Sequence, residues 1–471
     1  MSKVVKNLQT AIQLCGLEDG MTISFHHNLR GGDTIAGEIL HAISELGIRD
    51  LTIAPSSLLT GHDALIPYLE NGTITRIQTS GVTPRIGALL QSGPLLKHPV
   101  EMRTHGSRSA AFAAGQIRVD VAFLAASHAD PYGNCSALSG ASAFGSMGYA
   151  MVDAAYADKV VVVTDDLSPE PIFPVSIHQS DVNFVVPVSR IGDPAGIATS
   201  SLQPSKNPLD KAIAELTAKM IIASGSLYDG CRMQTGAGKI SLSVAAFLES
   251  YMERHQIAAD FAMGGITRTL VRMMEKGLVR TLYDVQSFDL DSVRSLLQND
   301  RHIEVSAQAY ADPQVKGGAI VNQLDFTILG ATEIDTSFNV NVVTDSNNRL
   351  ISGAGGHGDS ADGAQLAIVT APLYRLKYPT ITDHVNTICT PGRCIDAFVC
   401  ERGIAINTEI DHNRELVQRL RDAGLPVRTI QDLKIEAERY TGKLPPLPRG
   451  TRTVAKVLWR DGSVLDEIQG E

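Results

Sequence analysis

The segment TISFHHNLRGGDTIAGEILHAISELGIRDLTIA, Thr22 to Ala54, decides the fold class. It opens on a short apolar run, Thr22 to Phe25, and closes on another, Leu51 to Ala54. Between them Ile35, Ile39, Leu40 and Ile43 recur at helical spacing within Thr34 to Leu46 and make one apolar stripe. A strand, a helix and a second strand form the unit of a parallel sheet, because parallel neighbours need a crossover between them. The alternation continues outward: Val119 to Ala125 and Val160 to Thr164 read as further buried strands. His26, His27 and Arg30 follow the first strand at its C-terminal end, where open α/β sheets bind ligands, and Gly31 and Gly32 after them indicate a tight loop.

The pattern breaks into Gly, Pro and Ser at GDPAG, Gly192 to Gly196, and SLQPSKNP, Ser201 to Pro208. A helix is then expected over Leu209 to Ala223, with Leu209, Ile213, Leu216 and Met220 on one face and Asn207 or Asp210 as its cap. The alternation restarts with a strand ending near Gln234, a glycine turn and a helix from Ser241. Further strands are expected near Phe338 to Val343, Ala367 to Thr370 and Asp396 to Cys400. Two α/β domains follow from this, residues 1–205 and 206–471, each an open, mostly parallel sheet with flanking helices. The tail carries Pro445, Pro446 and Pro448, then VAKVLWRDGSVLDEI, where Asp461-Gly462 between apolar runs signals a hairpin.

Composition narrows the function. Over 471 residues, 44% are hydrophobic and 20% charged, as in globular domains, and the formal charge of −10 argues against a nucleic-acid or anionic-membrane surface. An anionic substrate would therefore need a locally positive pocket. The six Cys make no CxxC pair and the 13 His no HExxH, so no metal site is expected. MSKVVKNLQT lacks an apolar signal core and no 18-residue apolar run occurs, which reads as a cytoplasmic chain with reduced thiols.

Two glycine signals bear on chemistry. TGAGKIS, Thr235 to Ser241, fails the phosphate-loop rule because Met233 stands at the required first glycine and Ile240 follows the lysine. It still offers a strand, a turn and a helix N-terminus, so its amides can serve an anion. SGAGGHGDSADGAQ, Ser352 to Gln365, is sharper: Gly353, Gly355, Gly356 and Gly358 fall within six positions around His357. Their amides can converge on one oxygen and stabilise a tetrahedral oxyanion. For an anion, His26, His27 and Arg30 are the first cationic set, and Arg103, His105 and Arg108 in EMRTHGSRSA the second. His128, ahead of Asp130-Pro131-Tyr132-Gly133-Asn134, has equal claim to a turn role and a site role.

Three segments resemble the acyl-coenzyme A transferase family: VDVAFLAASHADPYGNCSALSGA (Val119 to Ala141), MQTGAGKISLSVAAFL (Met233 to Leu248), and SGAGGHGDSADGA (Ser352 to Ala364) with DAFVCERGIAIN (Asp396 to Asn407). The resemblance implies two tandem coenzyme A transferase-like domains. In that family a catalytic Glu precedes a helix ending in a Glu-Lys-Gly turn. The matching stretch here is FAMGGITRTLVRMMEKGL, Phe261 to Leu278, and Gly264 stands where the Glu would be. With DGMTISFHHNLRGGD, Asp19 to Asp33, the chain is most similar to citrate lyase alpha chains. That similarity implies a transferase exchanging acetyl for citryl on an acyl-carrier (gamma) subunit, whose coenzyme-A-like arm supplies the thiol, beside a cleaving (beta) subunit. Citrate and acetate are the small partners, no cofactor is bound covalently, and His26, His27, Arg30 and His357 would hold citrate. The resemblance also implies Gly236, Gly238 and Lys239 as candidates for holding a thioester or its carrier arm. Two alternatives stay open: a Glu-dependent transferase or thioester hydrolase using Glu401 or Glu275, and a non-catalytic ligand sensor or scaffold.

Overall fold

The structure, a computed structural model, describes residues 2–198, 205–236, 238–444 and 450–470. Pro445, Pro446 and Pro448, Ala237 of the glycine turn and Ser201 to Pro204 of the expected linker lie outside the described residues.

The opening unit folds as its pattern requires. The strand Thr22–Ser24 leads to the helix Ile35–Glu45 and returns to the strand Leu51–Ile53, which pairs in parallel with the first. The stripe Ile35, Ile39, Leu40 and Ile43 is buried against the sheet. On its other side Thr22–Ser24 pairs with Val121–Ala126, so the chain order reverses at this strand and a crevice opens beyond its C-terminal end. The sheet has nine strands, extending through Ile74–Thr79 and Val100–Arg103 one way and Lys159–Thr164 and Phe184–Pro187 the other.

The second half repeats the plan. Its nine-stranded sheet reverses order at Arg232–Thr235, which pairs in parallel with Ala259–Ile266 and Phe326–Gly330. Ala367–Thr370 and Ala397–Cys400 continue it, and Gly403–Ile406 turns back antiparallel. The helix Pro208–Ser224 begins where expected: the Asn207 side chain accepts from the Leu209 N–H (3.0 Å), while Asp210 accepts from the Ser205 hydroxyl instead.

Two expectations change. The strand placed over Phe338 to Val343 shrinks to Val340–Asn341, within a separate three-stranded sheet. The Asp335 carboxylate explains this, because it accepts from the N–H groups of Ser337 and Asn339 and ties a turn with Phe338 at φ +63°. The division of the sheets at residue 205 also needs revision. The hairpin Arg452–Leu458 and Val464–Gly470 turns at Gly462 as read, but it pairs in parallel with Val100–Arg103 and forms the edge of the first sheet. The largest core is continuous across the halves, with Phe261, Met263, Val285 and Tyr310 packed together with Ile23, Phe123 and Val161. Among the described residues no helix is long and apolar enough to cross a membrane.

Candidate functional site

The two order-reversal points face each other, and the contacts between them close into a ring. At the end of the first central strand, Gln286 Nε2 donates to the His27 carbonyl (3.1 Å) and Gln286 Oε1 accepts from Arg30 Nη1 (3.3 Å). The His27 ring stacks on His105 (centroids 5.6 Å apart, 15° between planes), and Tyr149 lies against both, at 4.4 and 4.6 Å. The His105 N–H donates to the Gly355 carbonyl (3.0 Å), which fixes the glycine loop to the helix His105–Ala113. From that loop the ring continues to Tyr310, whose hydroxyl accepts from Gln234 Nε2 (3.0 Å). Gln234 in turn packs where a side chain on Gly264 would begin. Gly264 and Gly265 pair with Asp284 and Gln286 around a bulge, which returns the circuit to Arg30.

Polar groups inside this ring lack partners. Arg30 has φ +54°, its guanidinium lies 5.0 Å from the Phe288 ring centroid, and its Nε is buried without an acceptor. Among the described residues no carboxylate pairs with it, and burial pulls its pKa down to about 10. A desolvated cation with no counter-ion is costly to the folded chain. His27 is held neutral by burial, which drives its pKa well down, with His105 and Arg30 adding repulsion. His105 is pulled down to about 3, again chiefly by burial. No acceptor takes the N–H groups of Gly355, Gly356 or Gly358 among the described residues, so these amides are left unpaired at the start of the helix.

Other candidates from the sequence have structural tasks. His26 gives Nε2 to the Ala125 carbonyl (2.9 Å), takes the Asn28 N–H on Nδ1 (3.3 Å) and stacks on Phe144, so neither ring nitrogen is left for citrate. His357 is likewise consumed, by Thr390 Oγ1 (2.7 Å) and the Gly330 carbonyl (2.9 Å). Both are corrected from anion ligands to packing residues. The Gly236 amide already donates to Ile328 O (2.7 Å), which removes it as an anion donor. Gly238 caps the helix Lys239–His255 and Lys239 is exposed at its start. In the second cationic set, Arg103 pairs with Glu101 and Arg108 with buried Asp153 (2.6 Å), leaving His105 alone at the site. His128 pairs with Asp166 (2.8 Å) beside a turn that Asp130 ties.

The loop is held by neighbours the sequence did not reveal. Asp359 is fully buried and accepts from Thr104 Oγ1 (2.8 Å) and the Gly106 N–H (2.9 Å). Arg460, from the C-terminal hairpin, sets Nε 3.2 Å from Asp359 as an ionic contact without an aligned hydrogen bond, and reaches Asp362 at 2.6 Å. At the other end Gly353 bridges Gly81 so closely that a Cβ would lie 1.9 Å from the Ser80 carbonyl oxygen. Replacing Gly353 by Ala should therefore cost about 1–3 kcal/mol by overpacking and shift the loop. Urea denaturation together with turnover measures both effects.

Two facing sheets with a glycine loop between their reversal points define a coenzyme A transferase-like fold. Solved structures bear this out: the malonate decarboxylase alpha subunit of Acinetobacter baumannii superposes with a TM-score of 0.69 at 15% identity, covering 94% of this chain and 95% of that one. Residues 1–470 match the family described as citrate lyase, alpha subunit, and the chain belongs to that family. It is 44% identical over 467 residues to the citrate lyase alpha chain of Klebsiella pneumoniae, covering 99% of this chain and 91% of the relative. To that of Escherichia coli K12 it is 44% identical, covering 99% and 90%. The citrate-bound alpha subunit from Streptococcus mutans superposes with a TM-score of 0.96 at 43% identity, covering 100% of this chain and 91% of that one.

Proposed function

We propose that this chain is the transferase of a cytoplasmic citrate lyase and exchanges acetyl for citryl on the thiol of an acyl-carrier subunit. The partners are that carrier, which supplies the coenzyme-A-like arm, and a cleaving subunit; no group is bound covalently to this chain. The observation that carries the reading is Arg30, a largely buried guanidinium with no carboxylate partner among the described residues, on the ring that also holds the amides of Gly355 and Gly356, unpaired among those residues. The Streptococcus mutans relative binds citrate, an anion that suits such a cation.

A citrate carboxylate held by Arg30 attacks the acetyl thioester carbonyl. The C–S bond breaks, the carrier thiolate leaves, and a mixed acetyl–citryl anhydride forms. The thiolate then attacks the citryl carbonyl, the anhydride C–O bond breaks, and acetate departs. Each attack puts negative charge on a carbonyl oxygen facing the Gly355 and Gly356 amides, where one donor is worth about 3–4 kcal/mol. Holding the reactants aligned contributes up to about 7–11 kcal/mol.

No side chain of this chain need act as nucleophile. Gly264 has φ +103°, a conformation that strains any residue with a Cβ, and Gln234 fills the space a side chain would enter. Glu401 is occupied with the Leu373 N–H (3.0 Å), and Glu275 is exposed at the far end of the helix after Gly264. The Glu-dependent alternative is thereby disfavoured. The test uses the assembled enzyme with acetylated carrier, in which citrate should release acetate while borohydride or hydroxylamine traps no acyl group on this chain. A glutamyl adduct recovered from it would overturn the reading.

A further inference from the structure

The histidines stacked at the site have opposite hydrogen-bonding character, and the serines behind them set it. Ser56 Oγ accepts from the His27 backbone N–H (3.0 Å) and lies 2.6 Å from His27 Nδ1. Among the described residues His27 Nδ1 is the acceptor within reach of the Ser56 hydroxyl proton, so the proton is assigned to that bond and His27 carries its own proton on Nε2. Ser80 works the other way. Its hydroxyl proton is committed to the Ser56 carbonyl, so toward His105 Nδ1 (3.2 Å) it can only accept. His105 then holds its proton on Nδ1, and its Nε2 is a bare lone pair. That nitrogen faces the glycine loop, 3.4 Å from where a Cβ on Gly355 would sit. Neither Nε2 has a partner among the described residues.

Most other groups on the ring are hydrogen-bond donors: the Arg30 guanidinium, His27 Nε2–H and the loop amides; the Tyr149 hydroxyl can serve either way, and Gln234 Oε1 is a second unpartnered acceptor, set apart from the histidine pair beside Tyr310 and Gly264. A fully ionised tricarboxylate offers acceptors at every carboxylate oxygen. Citrate adds a single donor, the hydroxyl on its central carbon. A bare nitrogen among donors is matched only by that group.

We propose that His105 Nε2 accepts the hydrogen bond of the citrate hydroxyl while His27 Nε2–H, one stacking distance away, donates to a citrate carboxylate, so that the histidine pair selects a hydroxylated tricarboxylate. The inference rests on the citrate reading above and adds the group that recognises the hydroxyl. His105 would be a specificity determinant rather than a proton-transfer group.

The test compares citrate with propane-1,2,3-tricarboxylate, which is citrate without its hydroxyl, by calorimetric titration of the full chain. Wild type should prefer citrate by about tenfold to a hundredfold, the range for a polar group left unpartnered by a ligand that lacks its mate. His105→Phe keeps a ring in the stack and removes the acceptor. It should lose the preference while binding of the deoxy compound stays within about threefold of wild type. His105→Gln, which restores an acceptor oxygen, should recover part of the preference. Ring nitrogen NMR on the intact chain reads the tautomer without relying on the variants, the His105 signals being assigned by their loss in His105→Gln. An unprotonated Nε2 is expected and a protonated one overturns the proposal. Equal affinity of wild type for the two ligands, or equal loss of both in His105→Phe, would also overturn it and leave the citrate reading standing. Failure to bind either ligand would sink both.

Discussion

Replacing Arg30 by Met should lower citrate-dependent acetate release by about a hundredfold to a thousandfold, mostly through weaker citrate binding, while leaving the fold as stable as before or more so. The activity loss follows from removing one partner of a buried charge pair, which costs about 2–5 kcal/mol in binding. The stability gain follows from the sign of the pKa change. Arg30 is held down to about 10, against an ordinary value of 12.5, chiefly because burial disfavours its charge. A cation that binds its proton more weakly when folded penalises the folded state at every pH below about 10, by up to roughly 3 kcal/mol. That penalty fades only as pH rises between about 10 and the unfolded value. Met removes it and gives up the contact with Phe288 (5.0 Å), which offsets part of the gain. Arg30→Lys should fall between the two, since a point charge cannot form the two-pronged contact. Thermal denaturation with and without citrate separates these effects. Saturating citrate at about 100 times its dissociation constant should add about 2.7 kcal/mol to wild type and far less to Arg30→Met. An active variant, or one that loses stability, would sink the anion-site assignment.

The loop after the first strand was legible because a strand's C-terminal end at an order reversal is fixed by the alternation of strands and helices. Which histidine faced the crevice was not. His26 and His27 are consecutive, and neighbouring residues in extended chain point to opposite sides, so one packs on Phe144 and the other on Tyr149. The sequence carried no phase to choose between them. His357 looked functional because it sits among glycines, yet the short helix His357–Gly363 turns its ring onto Thr390 and Gly330. Gln286, Gln234, Tyr149 and Tyr310 gave no signal. They are common residues in ordinary strand and helix patterns, and they become a site only because chain segments some 76 to 259 residues apart pack together. The hairpin at the C-terminus was read correctly as local structure, and its pairing with Val100–Arg103 was missed for the same reason: local pattern fixes an element but not its distant neighbour.

That long-range pairing brings Arg460 to the glycine loop, and removing it should be among the most damaging single changes in the chain. Arg460→Met should cost about 3–5 kcal/mol, because Asp359 would keep its charge in a fully buried place with only Thr104 and Gly106 to satisfy it. The Asp359 carboxyl already sits at about 6 against an ordinary 3.8, with burial outweighing the Arg460 charge. An acid raised in this way contributes stability that is fully present below its unfolded pKa and lost as pH rises through its folded pKa. Without Arg460 the folded value climbs further, so the window of loss widens upward. The variant should therefore be closer to wild type at pH 5.5 than at pH 8 in urea denaturation. Adding Asp359→Asn should recover part of the loss at pH 8, since no unpaired charge then remains. Catalysis separates a clamp on the loop from a general weakening. Arg460 contacts Asp359 and Asp362 and neither Arg30 nor His27, so citrate affinity should change less than turnover in Arg460→Met, with turnover falling about tenfold or more, as befits oxyanion amides moved off their target. A loss of citrate affinity with turnover intact would mean that the hairpin serves the anion site rather than the glycine loop.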